Sequence, residues 1–320
     1  MQLTKGAIGN LINRYKAVLK KCHLMNTFGS LAVAGILIMG GAGMAVAAGD
    51  VALKGENNYD GKEVNHLMGG WLVNNAETAK EAHGDITLTV KGGKISEIIG
   101  GSYPKGLTAG ENSKLLTVKH GDITTSISDN TTSTEFVVGG SKVAGGDGAN
   151  LETGKTTLTI ENGTFGAEGK TNGYELVMGG NYAKTAGNSG LKATTEGSRV
   201  TVNGGTSYAS VVGGSVAHNY SGNGSITVTD NGATSVTIKG GTFNPSQSSL
   251  PDKQGGINLS AAVIGGGLAY GANTNSVLGS KEAPVTSRVS INGGTFKPGA
   301  NGHYAKIVAG SVVAIEHSTG

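Results

Sequence analysis

The chain has 320 residues, 57 of them glycine and 5 proline, with 15% charged and 5% aromatic side chains; glycine is far above the usual ~7%, which suits short strands joined by polar turns. Its 25 Lys/Arg and 22 Asp/Glu give a formal charge of +3, yet Lys5, Arg14, Lys16, Lys20 and Lys21 fall in residues 1–48, which hold no acid, so residues 49–320 sum to 20 minus 22, or −2. That balance, with no run of Lys/Arg interleaved with aromatics, removes the electrostatic footprint of nucleic-acid binding, and the single cysteine, Cys22, leaves residues 49–320 unable to form an internal disulfide.

The first element is a leader. Residues 1–27 are basic, and Phe28–Ala48 is an apolar and small-residue stretch ending Ala45-Val46-Ala47-Ala48. A positive start, an apolar middle and small residues before a cut predict a helical secretory signal peptide over residues 1–48. Ala47 and Ala48 both satisfy the cleavage requirement, and Ala48 is taken as the last leader residue. The stretch has 21 residues, long enough to span a bilayer, but its glycines and alanines weaken the alternative of an uncleaved anchor. Cys22 precedes the apolar stretch, unlike a lipoprotein acylation site.

Beyond the leader the chain repeats. A short apolar run breaks on a glycine pair at Leu67-Met68-Gly69-Gly70, Ile98-Ile99-Gly100-Gly101, Val137-Val138-Gly139-Gly140, Val177-Met178-Gly179-Gly180, Val211-Val212-Gly213-Gly214 and Val263-Ile264-Gly265-Gly266, with a near copy at Val308-Ala309-Gly310. Before five of these runs sits a second unit, β-branched and polar residues alternating into Gly/Asn-Gly: Leu88–Gly93, Leu158–Gly163, Val200–Gly205, Val236–Gly241 and Val289–Gly294. In Arg199-Val200-Thr201-Val202 the valines point to one face of a strand and Thr201 to the other, so Val, Ile and Leu line the inside and Thr or Ser the outside. The glycine pairs are expected to turn the chain through positive φ. Phe165, Phe243 and Phe296, just after such turns, are placed to stack on one another.

Glycine pairs start at 69, 100, 139, 179, 213, 265 and 309, steps of 31, 39, 40, 34, 52 and 44 residues. These are too long for hairpins, and loop excursions such as Asn244–Ser260 and Gly271–Ser287 fit an all-β, right-handed parallel β-helix (β-solenoid) over residues 49–320. A β-propeller needs four strands per blade and aromatic signatures, and this chain has one Trp. At roughly 30 residues a coil and about 4.8 Å between strands, on the order of nine coils make a rod about 40 Å long. The regular Val/Ile doublets argue against disorder, which lacks the apolar surface to offset the entropy of ordering.

Chemistry finds little footing, and no catalytic, cofactor-binding or metal-binding residue is assigned. Gly154-Lys155-Thr156 has the end of a phosphate loop, but Ala149 stands where the motif needs glycine, and a strand follows instead of a helix. Gly145–Leu151 has one copy of a calcium nonapeptide, which binds only in tandem. His66, His83, His120, His218, His303 and His317 are scattered without metal-site spacing, and no Gly-x-Ser-x-Gly elbow occurs. Ser102, Ser141 and Ser215 follow glycine pairs as turn residues. The acids Glu97, Asp122, Glu135, Glu161, Glu175 and Asp230 are spread singly. Only His83-Gly84-Asp85-Ile86 and His120-Gly121-Asp122-Ile123 match; they read as a repeated turn before a strand, the alternative being two carboxylates and two histidines stacked on one face.

The long charged leader (Asn13-Arg14-Tyr15-Lys16, then Leu24-Met25-Asn26) and the cysteine-free repeats with Ile238-Lys239-Gly240-Gly241-Thr242-Phe243 and Ile291-Asn292-Gly293-Gly294-Thr295-Phe296 resemble an autotransporter (type V secretion) passenger with an extended signal peptide. The resemblance implies export from a Gram-negative cell, passage through an outer-membrane β-barrel translocator, and folding at the cell surface. Such proteins end in a barrel; here the chain ends on a unit that reads as an interior coil, Ile307–Val312, and a fragment of a longer gene product is expected ahead of a separate partner or a degraded reading frame. The expected function is non-enzymatic adhesion or self-association, with surface glycans or proteins as partners. The alternative is a β-helical polysaccharide lyase or hydrolase, which needs a general acid and base within reach of one bond.

Overall fold

Short stretches that alternate an aliphatic with a hydroxyl residue can bury only one face, and the chain resolves this by laying each stretch beside its counterpart from the next repeat. The computed structural model describes residues 49–314 apart from 56–57, 62, 74–81, 106–115, 145–148, 169–174, 186–189, 220–223, 245–261, 272, 280–283 and 299–305. The signal peptide with its cleavage site, Cys22, His303, His317 and most of the Asn244–Ser260 excursion therefore lie outside the described residues.

The described elements are strands, paired in parallel. In chain order a repeat passes through four sheets. Sheet I holds Ala82–His83, Leu116–His120, Ala149–Thr153, Leu191–Thr195, Ile226–Asp230 and Thr274–Leu278. Sheet II holds Asn58–Tyr59, Ile86–Lys91, Ile123–Ser128, Thr156–Ile160, Ser198–Val202, Thr234–Ile238 and Ser287–Ile291. Sheet III runs from Val51–Ala52 through Glu63–Met68, Lys94–Ile99 and Thr132–Val138, after which each repeat contributes two short strands, the second being Leu176–Met178, Ser210–Val212, Val263–Ile264 and Ile307–Val308. Sheet IV holds Lys142–Val143, Tyr182–Thr185, Val216–Asn219, Leu268–Gly271 and Val312–Ala314, with Leu72–Val73 and Tyr103–Pro104 paired to each other ahead of it.

Register follows the repeat spacing. Leu67, Ile98, Val137, Val177, Val211, Val263 and Ile307 are successive partners, so the uneven steps between glycine pairs are the steps between hydrogen-bonded neighbours. Among the described residues sheet II has seven strands where about nine coils were expected, because the steps between repeats exceed thirty residues. Gly271–Ser287 is not a plain loop: Thr274–Leu278 pairs with Ile226–Asp230. A strand follows the His120-Gly121-Asp122 turn as that turn predicts, but it departs from the repeat pattern. Ile123–Ser128 pairs with strands on both sides, but buried Thr125 replaces the central aliphatic and Asp129-Asn130 replaces the glycines, Asp129 taking φ +57°.

The apolar doublets are explained by two cores. Leu67, Ile98, Val137, Val177, Val211 and Val263 pack with Leu88, Leu158, Val200 and Val236 of sheet II. Their neighbours Met68, Ile99, Val138, Met178, Val212 and Ile264 turn to the other face, against Tyr103, Tyr182, Val216, Leu268 and Val312. A strand buried on both faces needs no polar alternation. A third cluster joins Val118, Leu151, Ala193 and Val228 of sheet I to Val143, Ala183, Ala217 and Ala269 of sheet IV.

The expectation for the glycine pairs needs correction. In the sheet II units the second glycines, Gly93, Gly163, Gly205, Gly241 and Gly294, have positive φ, and so does Gly92. The pairs that follow sheet III do not; there a Cβ on Gly69, Gly100, Gly139, Gly179 or Gly213 would collide with the carbonyl oxygen of the counterpart one repeat on. Their N–H groups run along that same ladder, Gly139 to the Met178 carbonyl at 2.8 Å and Gly140 to the Gly180 carbonyl at 3.0 Å. Phenylalanine stacking is partial. Phe243 and Phe296 stack at 4.8 Å, but Ser207 lies in register between Phe165 and Phe243 and leaves a small apolar gap lined by both rings, Ile160, Val177, Val202 and Val211.

Candidate functional site

Where sheet III turns into sheet IV, Ser102, Ser141, Asn181 and Ser215, each following a glycine pair, point a side-chain oxygen at the preceding repeat. The Trp71 N–H donates to Ser102 Oγ at 2.8 Å, Ser102 N–H to Ser141 Oγ at 3.1 Å, Ser141 N–H to Asn181 Oδ1 at 2.8 Å and Asn181 N–H to Ser215 Oγ at 3.1 Å. These serines are structural, as their place after the glycines predicts. At the next step Gly267 has no side chain, and buried Asp230 of sheet I fills in: its Oδ2 accepts the Ser215 N–H at 3.0 Å and its Oδ1 accepts from Ser215 Oγ at 2.9 Å and Thr195 Oγ1 at 2.7 Å. Burial pushes the Asp230 carboxyl up, against the lowering effect of these hydrogen bonds.

The matched His-Gly-Asp turns come together. His83 and His120 are register partners with rings stacked at 5.0 Å, and Trp71 stacks on His83 at 4.0 Å. Both histidines are buried, and burial followed by the neighbouring His83 lowers His120 to about 3. The aspartates serve as turn supports. Asp85 Oδ1 accepts the Asp122 N–H at 2.8 Å, and Asp122 Oδ1 accepts the Lys155 N–H at 2.8 Å. Each carboxylate thus fixes the backbone of the next repeat, as the turn reading expects. Gly154-Lys155-Thr156 is likewise a turn entering the strand Thr156–Ile160, and Ala149–Leu151 of the nonapeptide-like stretch is strand, its first four residues lying outside the described ones. Among the described residues no three His, Cys, Asp or Glu side chains gather as for a metal ion.

The chemically richest group was not anticipated. Glu97 on the sheet III strand Lys94–Ile99 and Lys142 on the next repeat's sheet IV strand form an ion pair, with side chains only 5% and 4% exposed. Lys142 Nζ lies 4.9 Å from the Tyr103 ring centroid, 5.4 Å from Phe136 and 5.8 Å from Tyr182, so three aromatic rings surround the ammonium group. His66 Nε2 is 3.5 Å from Glu97 Oε2, while His66 Nδ1 meets Asp50 Oδ1 at 2.6 Å. Lys105 Nζ is 3.1 Å from Asp50 Oδ2. Burial raises the Asp50 carboxyl, but hydrogen bonds from His66 and Lys105 outweigh it and hold it below its ordinary value. Alongside, burial and then the charge of Lys142 lower Lys184, and Tyr182 Oη lies 3.3 Å from His218 Nδ1.

Burying an ion pair costs several kcal/mol per ion before attraction repays it, so this pair is a deliberate departure from the surrounding apolar columns. The signal was present in the repeats. Lys142 occupies the register position held by Tyr182, Val216 and Leu268 in later repeats, and Glu97 the position held by Phe136 and Leu176. Two opposite charges at aligned apolar positions stand out only once the repeats are superposed. Of the other scattered acids, Glu161 accepts from Asn203 Nδ2 at 2.8 Å, Glu175 is buried and Glu135 is exposed.

Comparison of the chain with protein-family models, with curated proteins and with solved structures finds no match.

Proposed function

We propose that residues 49–320 wind as a right-handed parallel β-helix that is exported by its leader, passes an outer-membrane β-barrel translocator and works at the cell surface by adhesion or self-association with glycans or proteins. The observation that carries this reading is the outward face of sheet II. Thr87 and Thr89, Thr124 and Ser126, Thr157 and Thr159, Thr201, Ser235 and Thr237, and Ser290 lie in register across six successive strands, exposed or half-buried. Such a face offers hydroxyl donors and acceptors at a fixed spacing, suited to repetitive ligands, and it forms no nucleophile–base pair. The right-handed winding rests on the strong preference of parallel crossovers for that hand.

A polysaccharide lyase or hydrolase has weaker support, because Asp85 and Asp122 are engaged by backbone N–H groups, and Asp50 and Glu97, which share His66, are paired with Lys105 and with the buried Lys142. The test expresses the full chain in a Gram-negative host. Surface labelling and increased cell–cell or cell–glycan adhesion, reduced at least tenfold by Thr159→Glu with Thr201→Glu, is the expected result. Protein retained in the cytoplasm, adhesion untouched by these outward charges, or release of oligosaccharides from polysaccharide would overturn it.

A further inference from the structure

The Glu97–Lys142 pair has the ingredients of a covalent bond as well as an ionic one. We propose that Lys142 Nζ and Glu97 Cδ condense to an intramolecular isopeptide bond, with His66 as the proton carrier. The two groups are in contact, nearly free of solvent, and walled by Tyr103, Phe136 and Tyr182. Condensation requires the neutral amine and acid, which the pair reaches by passing one proton from the ammonium to the carboxylate it touches. Groups held in contact react with effective concentrations of about 10⁵–10⁸ M, which favours an amide that free amine and carboxylate in water do not form.

The step balances without any further reactant. The Lys142 nitrogen adds to Glu97 Cδ and the new C–N bond forms. His66 Nε2, 3.5 Å from Oε2, protonates that oxygen, the Cδ–Oε2 bond breaks and water departs. The nitrogen returns its surplus proton to His66, so one ammonium and one carboxylate become one amide and one water. Asp50 is a positioning residue: its Oδ1, 2.6 Å from His66 Nδ1, holds the ring with Nε2 toward Glu97. The bond would join residues 45 apart in sequence and staple sheet III of one repeat to sheet IV of the next. This bond is independent of the adhesive function proposed above.

Mass spectrometry of the wild-type protein tests it directly. The expected intact mass is one water below that of the polypeptide isolated, whether it begins at Met1 or after the leader. A tryptic digest should yield residues 95–105 joined to residues 120–155, with cleavage after Lys142 blocked. Lys142→Arg should abolish the joined peptide, and in pulse-chase of newly made protein His66→Ala should slow its appearance roughly a hundredfold, the usual contribution of one positioned acid–base group. A wild-type mass with no water lost and separate peptides on either side of Lys142 would overturn the bond, whatever the variants do. An unchanged rate in His66→Ala would overturn the proton carrier.

Discussion

Two corners of the repeat use glycine for different reasons. Between sheets II and III the second glycine turns the chain through positive φ, as at Gly241 and Gly294, and Gly294 still has 3.3 Å between a built Cβ and its nearest neighbour. Between sheets III and IV the glycines have ordinary φ but no space, since backbone from the next repeat lies against the Cα. The first corner asks for conformational freedom, to which Gly163 and Gly205 add a lack of space, a Cβ there lying 2.7 Å from the Thr131 carbonyl and 2.6 Å from the Gly163 carbonyl; the second asks for the absence of a side chain alone. The second also carries the buried polar seam of Ser102, Ser141, Asn181, Ser215 and Asp230, so a fault there loses hydrogen bonds as well as packing.

The sharpest way to break this comparison is one substitution at each corner. Gly179→Ala sets a methyl group against the Gly213 carbonyl and 3.0 Å from Val200 Cγ2, and should cost about 3 kcal/mol or more, the upper range of overpacking. Gly294→Ala meets only the left-handed backbone penalty, about 1–2 kcal/mol. Denaturant midpoints of the two variants decide; equal costs would mean that close approach is not what the III–IV corner requires.

Acid should next act on the buried imidazoles beside that polar seam and in sheet IV. Burial and His83 lower His120 to about 3, and burial and Lys184 do the same for His218. A depressed folded pKa means that only the unfolded chain gains protons just below 6.5, so their stabilisation is complete above that pH and is lost as pH falls toward about 3. Each histidine should remove roughly 1.4 kcal/mol per pH unit within the window. Asp230 works with the opposite sign: its raised pKa means stability is greatest below the ordinary 3.8 and lost as pH rises through the folded value. Urea midpoints that fall from pH 6 to pH 4, and fall less steeply in His120→Phe, are expected. A flat profile would show that these rings are not buried neutral.

The smallest effect should come from the space near the II–III corner. Ser207→Phe places a ring between Phe165 and Phe243 in the register that already stacks Phe243 on Phe296. It should stabilise by about 1 kcal/mol through burial and ring contact, read as a raised thermal midpoint. A lowered midpoint would show that Ser207, whose Oγ donates to the Ala209 carbonyl at 3.0 Å, is needed more than the gap is harmful.

Much of the strand organisation was legible from individual residues. The alternation in Val200-Thr201-Val202 identified a half-buried strand, and the steps between glycine pairs measured the register. The start of Ile123–Ser128 was legible from the turn before it, but its inward face and its exit were not, because Thr125 is an uncommon inward residue and Asp129 reaches positive φ without glycine. Asp85 and Asp122 could be matched in sequence, but their role as acceptors for the next repeat needed the register of the turn. Glu97 and Lys142 lie 45 residues apart on different sheets, and no local pattern joins them.

From its order of residues alone this protein was bound to form short parallel strands that stack repeat on repeat, because period-two patterning and regularly placed glycines act over a few residues at a time. Which neighbour each doublet faces, why the III–IV glycines admit no Cβ, and which charges share a water-poor pocket were decided only by the assembled sheets. Burial, close backbone approach and ion pairing depend on groups brought within a few ångströms across dozens of residues, and that proximity exists only in the folded chain.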